Sequence, residues 1–283
     1  MTVIQLDMFT TFLLFQYLLS CTQHPLDLAL TPESGAMNVL HWFHSPDMQS
    51  WTYNGPVAWG VTSLGAHQEG DQLAITCIQE VRPPTWMDQQ FPRVYGYLFD
   101  GASFEPTDWG IDDSETKSYI DPQWYDGKMW YISPTGYTGD PANAPNTPIR
   151  SEGSTVYSAP RISDPSPVLY EDKTHLFATQ NGSLVHLKGT PLQPTLDPEE
   201  VKHFNGTTVP YAFVDNNQLF LVAQRQFNGR RTPMISRYTS AKKWTGWKPI
   251  VNLPPSIQAC TSPIVAKSPA GGWVMMCIEE KRR

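Results

Sequence analysis

Residues 120–132 read Ile120-Asp-Pro-Gln-Trp-Tyr-Asp-Gly-Lys-Met-Trp-Tyr-Ile132. A short inner segment runs into the polar turn Asp126-Gly127-Lys128, and Met129-Trp130-Tyr131-Ile132 returns as an apolar strand. An Asp-Gly turn between two such runs marks a β-hairpin. Four other segments are rough copies. Ser166-Pro167 leads through Asp172-Lys173 to His175-Leu-Phe177, and Val209-Pro210 through Asp215-Asn216-Asn217 to Gln218-Leu-Phe-Leu-Val222. Ser262-Pro263 returns as Trp273-Val-Met-Met-Cys277, and Ser63-Leu64 as Gln72-Leu-Ala-Ile-Thr-Cys77. Aligned on Leu64, Pro122, Pro167, Pro210 and Pro263, the spacings are 58, 45, 43 and 53. Repeats of about 40 to 50 residues, each holding several strands, predict a propeller.

The composition agrees. Charged residues make up 17% of the 283 and hydrophobic residues 40%, enough to bury a large core. With 10 Trp, 26 Pro and 19 Gly scattered along the chain and no amphipathic helix of useful length, many short strands joined by turns are expected. The class is all-β. A net charge of −7 gives no general attraction for phosphate backbones, which argues against a nucleic-acid partner.

Counting strands predicts how the ring closes. About twenty residues follow Pro263, room for two strands, whereas a blade has four. Residues 37–60 supply the missing pair, so the last blade is closed by N-terminal strands and no free sheet edge is left at the junction. The expected five-bladed β-propeller occupies 37–283 as a single domain. Its blades cover 62–110, 119–160, 161–206 and 207–250, and the closing blade comes last. Residues 134–151, rich in Pro, Gly and Asn, read as a long loop.

Ahead of the propeller, an apolar run ends in Leu18-Leu19-Ser20-Cys21. It is too short for a comfortable transmembrane helix and resembles a bacterial lipoprotein signal. That resemblance implies removal of residues 1–20, lipid on Cys21, and 21–36 as a tether. The protein would then be exported and held at the bacterial envelope, touching the membrane only through that anchor, or secreted. Cys77, Cys260 and Cys277 read as small buried hydrophobes in preference to a disulfide, and no Cys/His spacing suggests a metal.

The stretch Ser45-Pro-Asp47-Met-Gln-Ser-Trp51 follows Val39-Leu-His-Trp-Phe-His44. It resembles the S-x-D-L-x-x-W turn of five-bladed propellers of the furanosidase and xylosidase group related to glycoside hydrolase family 43. Its logic is structural: the Ser and Asp side chains bond backbone groups of the turn, and the Trp packs between blades. The resemblance implies catalysis by three acids from successive blades, a base, a pKa-tuning Asp and a Glu acid. Glycoside hydrolysis needs at least two carboxyls, one protonated and one ionised. By position Asp121 and Asp164 resemble two of these acids. Glu152, in Ser151-Glu-Gly153, is the candidate third, with Asp112, Asp113 and Glu115 as other loop acids. Trp124, His67, Arg161, Tyr211 and Arg225 stand near strand ends as candidate substrate contacts.

Each candidate has a structural alternative. Asp beside Pro caps turns, a propeller Trp packs, and an Arg bridges blades. Two functions therefore stand side by side. One is a glycosidase acting without a cofactor, with a carbohydrate ligand and as a monomer. The other is a non-catalytic glycan- or protein-binding propeller that lacks the full triad. Three acids in the channel favour the first; two beside a plugged channel favour the second.

Overall fold

The computed structural model describes residues 38–69, 71–81, 91–107, 120–132, 146–194, 197–239 and 243–280. Five antiparallel sheets of four strands form a ring. The first blade comprises β3 (Val61–Glu69), β4 (Gln72–Val81), β5 (Phe91–Phe99) and β6 (Phe104–Thr107). The second comprises β7 (Ile120–Tyr125), β8 (Lys128–Ile132), β9 (Asn146–Ser151) and β10 (Ser154–Pro160). β11 (Ile162–Tyr170), β12 (Lys173–Gln180), β13 (Ser183–Lys188) and β14 (Gln193–Pro194) make the third. β15 (Thr207–Asp215), β16 (Gln218–Phe227), β17 (Arg230–Arg237) and β18 (Lys248–Pro249) make the fourth.

The last sheet has the order β19-β20-β1-β2, joining β19 (Thr261–Lys267) and β20 (Trp273–Glu279) to β1 (Val39–Ser45) and β2 (Thr52–Trp59). β1 pairs with β20 along its whole length, from Val39 opposite Glu279 to Ser45 opposite Trp273. The N-terminal strands thus complete the closing blade as the strand count required.

Turn chemistry explains why the hairpins repeat. Asp126-Gly127, Glu171-Asp172 and Asn216-Asn217 are two-residue turns in which both residues have positive φ. Such turns match the twist of the flanking strands and favour Asn, Asp and Gly. At the closing blade, Asp47 Oδ1 accepts from the backbone N–H groups of Gln49 and Ser50 at 2.8 and 2.9 Å. Trp51 packs on apolar residues of the closing and fourth blades, as the turn motif predicted.

The core lies in the seams between blades. Alternate residues of β20 face opposite ways: Val274, Met276 and Ile278 pack toward the first blade, while Trp273, Met275 and Cys277 pack toward the fourth. Sandwiched between two neighbours, β20 is buried at every position, which is why it reads as a continuous apolar run instead of an alternating one. Similar clusters join the second to the third blade around Ile149 and Leu176, and the third to the fourth around Phe177 and Leu221. Burying a Leu or Phe side chain contributes about 1.5–3 kcal/mol, so stability is spread over the seams. Where β3 meets β7 the backbones come so close that a Cβ on Gly65 would overlap the Pro122 carbonyl.

Two expectations need correction. Residues 146–151 are the strand β9 and not part of a loop; 133–145 lie outside the described residues. A helix, α1 (Pro198–Phe204), links the third and fourth blades; seven residues are too few to show a helical period. Cys260 and Cys277 form a disulfide with Cα atoms 5.4 Å apart, Cys260 standing just before β19, whose Thr261 pairs with Ile278 next to Cys277, whereas Cys77 is a buried free thiol. Residues 1–37, with the lipoprotein-like segment, Cys21 and the tether, lie outside the described residues.

Candidate functional site

All five inner strands contribute to one axial pocket, and a common backbone feature positions its lining. In β7 the pairing steps from Ile120–Ile132 to Gln123–Trp130, leaving one residue extra. The same bulge recurs in β11 between Ser163 and Ser166, in β15 between Thr208 and Tyr211, and in β19 between Thr261 and Ile264. The first extra residue is left-handed each time: Asp121 at φ 53°, Asp164 at 52°, Val209 at 51° and Ser262 at 47°. Pro follows every one of them, and a bulge suits Pro because the missing N–H costs no ladder bond there. The structural equivalent of Pro122 in the third blade is therefore Pro165, two residues before the Pro167 used to align the repeats. Asp164 and Asp121 hold the same place in successive blades.

The two carboxylates are already engaged. Asp121 Oδ1 accepts from Ser63 Oγ of the first blade at 3.0 Å, and its Oδ2 accepts from the Asp164 backbone N–H of the third at 3.1 Å. Asp164 Oδ2 accepts from Ser163 Oγ at 2.8 Å, and its carboxyl is also bonded by Thr179, whose Oγ1 in turn accepts from the Val209 N–H at 2.9 Å. Burial raises the pKa of both acids. For Asp121 the charge of Asp164 adds to that, and the two hydrogen bonds offset only part of it. Tyr211 lines the same pocket, its phenol pushed up to about 12 by burial. The cavity among these groups measures about 20 Å³, the space of one water.

The other candidates lie elsewhere. Glu152 is at the exposed tip between β9 and β10, 3.0 Å from Lys128 Nζ. It is at the end of its blade opposite to Asp121, since β7 starts at the pocket and runs to the turn that carries Lys128, so it does not join the two acids. Trp124 and His67 meet across the first and second blades with centroids 4.5 Å apart and rings tilted by 36°, and the indole N–H donates to Thr76 Oγ1 at 2.8 Å. Arg161 is exposed in the turn before β11. Arg225 belongs to a separate cleft at the outer seam of the third and fourth blades. Asp112, Asp113 and Glu115 lie outside the described residues. Among the described residues the axial pocket thus has two carboxylates, with Val209 and Ser262 in the equivalent places of the next two blades.

No family model and no curated relative matches the chain. Among solved structures it is similar to a candidate glycosidase from Bacteroides thetaiotaomicron, at 10% identity and a TM-score of 0.50 over 92% of this chain and 96% of that one. A glycosyl hydrolase from Bacteroides ovatus is similar at 10% identity and 0.50, over 81% and 87%. A thermostable family-43 glycoside hydrolase is similar at 10% and 0.47, over 78% and 88%. The resemblance drawn from the repeats and the Ser45–Trp51 turn holds at the level of fold: the chain shares its five-bladed propeller with these glycosidases.

Proposed function

We propose that this protein is a saccharide-binding propeller built on a glycosidase architecture, whose axial acids fasten the ring instead of cleaving a glycosidic bond. The size of the axial pocket carries the reading. A cavity of about 20 Å³ holds a water, whereas pockets for small ligands span roughly 300–1,000 Å³. Here Asp121 bonds the backbone N–H of Asp164 itself, and no third acid joins them among the described residues. The kinship of fold with glycosidases supports a carbohydrate as the ligand class.

One observation favours the hydrolytic alternative. Asp121 holds its proton well above the usual carboxylate range, as a general acid must. The two readings separate in one experiment, in which purified protein is screened for turnover of chromogenic arabinofuranosides, xylosides and fructosides and, in parallel, for binding to neutral oligosaccharides. Binding without turnover is expected. Turnover that disappears in both Asp121→Asn and Asp164→Asn would overturn the binding-only reading in favour of a hydrolase.

Display at the envelope through a lipid on Cys21 belongs to the same proposal. Expressed in a bacterial host, the parent is expected in the membrane pellet and Cys21→Ser in the soluble fraction. A Cys21→Ser protein that stays in the pellet refutes the anchor.

A further inference from the structure

The cleft that contains Arg225 measures about 400 Å³, twenty times the axial cavity. It is lined by α1, Arg225 and the segment Lys243–Trp247, and helix and segment are held to each other by specific contacts. Asp197 caps α1 by accepting from the N–H groups of Glu199 and Glu200, and Pro198 occupies the first turn. His203, near the end of α1, lies nearly parallel to the indoles of Trp244 and Trp247, with centroids 5.9 and 5.0 Å away. The Trp247 indole N–H donates to the His203 carbonyl at 2.9 Å. Helix and segment therefore form one rigid wall.

Glu200 lines this cleft although it is only 6% exposed. Its Oε1 is bonded at 2.8 Å to His186 Nδ1 and accepts from the Trp244 indole N–H at 3.0 Å. His186 Nε2 is in turn 2.9 Å from His175 Nδ1, so the acid ends a buried chain. Burial pushes the Glu200 carboxyl up, but the bonds and charge of His186 and the bond from Trp244 outweigh it and hold the carboxyl at about 2. Glu200 is thus an ionised carboxylate that can only accept. Its Oε2 is itself fully buried and has no hydrogen-bond partner, which is costly for a desolvated oxygen.

Arg225 supplies the opposite function. One guanidinium N–H donates to the Asn205 carbonyl at 3.1 Å, and the group lies 5.6 Å from the centre of the Trp247 ring. A guanidinium has five N–H donors, so others remain for a ligand. Trp244 and Trp247 are each half-buried and leave ring surface to the cleft. The charged lining is balanced, with Asp197, Glu199 and Glu200 against Lys202, Arg225 and Lys243, so the cleft favours no net charge.

We propose that this cleft is a saccharide site separate from the axial pocket and takes a neutral sugar unit of an oligosaccharide chain. The inference rests on the saccharide-binding reading above and gives it a location. A sugar matches the accessible features together: a hydroxyl accepts from Arg225, and the C–H face of the ring lies against the exposed part of an indole.

Calorimetric titration of the full chain with xylohexaose, arabinohexaose, cellohexaose, maltohexaose and mannohexaose tests this, with Arg225→Ala and Trp247→Ala as variants and melting curves to monitor folding. At least one sugar is expected to bind the parent, and both variants to weaken it by about tenfold or more, the change that loss of one good contact produces. If Trp247→Ala fails to fold, Arg225→Ala decides, together with mass-spectrometric mapping of indole oxidation by N-bromosuccinimide. There the bound sugar must protect Trp244 and Trp247. Full binding in the folded rim variants with loss on Asp121→Asn would move the site to the axis, overturning the cleft while leaving the saccharide reading intact. Absence of binding by the parent to every sugar would overturn both.

Discussion

Removing the Asp121 side chain asks whether the axial acids are fasteners. Asp121→Ala deletes the acceptor for two groups, the Ser63 hydroxyl at 3.0 Å and the Asp164 backbone N–H at 3.1 Å. The hydroxyl can turn toward the water-sized cavity. The N–H cannot, because the bulge in β11 fixes its direction, and leaving such a donor unsatisfied costs roughly 1–3 kcal/mol. Asp121→Asn keeps one acceptor for that N–H and, through its amide, a donor for the Ser63 oxygen. It should therefore be close to neutral, and the two variants should differ by about 1–3 kcal/mol in urea unfolding. A pH series adds a second readout. In the unfolded chain the Asp121 carboxyl ionises near pH 3.9. In the ring it keeps its proton to higher pH, so between those points the folded state binds more protons and stability falls as the pH rises. The Asn variant lacks this loss, and its stability relative to the parent should improve as the pH is raised from about 4 through neutrality. Equal destabilisation by Ala and Asn, or an unchanged pH slope, would refute the fastener argument.

The other consequences concern the scaffold. Replacing Cys260 and Cys277 by Ala opens a bridge spanning 17 residues, and a loop of that size predicts a loss of about 3 kcal/mol in chemical denaturation; a loss below about 1 kcal/mol would mean the strand pairing alone suffices. Val209 is a β-branched residue at φ 51°, a conformation costing about 1–2 kcal/mol, so Val209→Asn should raise the unfolding midpoint, and a lowered midpoint would show that its packing outweighs the strain. Burial, foremost, lowers the pKa of His175, His186 and His203, to about 4 for the first and last. The unfolded chain then takes up protons near pH 6.5 before the folded one, and stability should fall as the pH drops from about 6.5 toward 4. His175→Gln should flatten that fall; an identical slope would show that the chain of buried imidazoles does not control it.

Much of the fold was legible because its information is local. Asp126-Gly127 and Asn216-Asn217 announce their turns by chemistry, and the apolar runs beside them announce strands. Closure of the ring followed from counting strands after Pro263, and the full-length pairing of β1 with β20 is its realisation. What failed to read was non-local or two residues out of phase. The third blade has two X-Pro pairs, Asp164-Pro165 and Ser166-Pro167, and only the bulge tells which one faces the axis. Cys260 and Cys277 meet through strand register. Beside the seam cleft, Glu200 is bonded to His186 and Trp244, brought together from β13, α1 and the segment after β17. One local signal was readable: Asp197-Pro198-Glu199-Glu200 has a capping Asp, a Pro in the first turn and two acids beside the positive end of a helix.

The bulge explains why the same residues read so easily as catalytic. Five inner strands converge on the axis, and in four of them the extra residue must be left-handed, a conformation that Asp tolerates far better than most side chains. An Asp placed there for conformational reasons also aims a carboxylate at the neighbouring blades. Asp121 links the first, second and third blades, and Asp164 continues the link through Thr179 to the fourth. A pair of axial acids thus has a use in holding the blades together, and its presence does not by itself argue for hydrolysis. Both carboxyls are bonded within the ring, beside a cavity too small for a sugar. At the seam the reverse holds: Arg225 keeps N–H donors beside a cleft of about 400 Å³ that Trp244 and Trp247 also line. The cleft with room for a ligand therefore lies where two blades meet at the rim, and not at the axis.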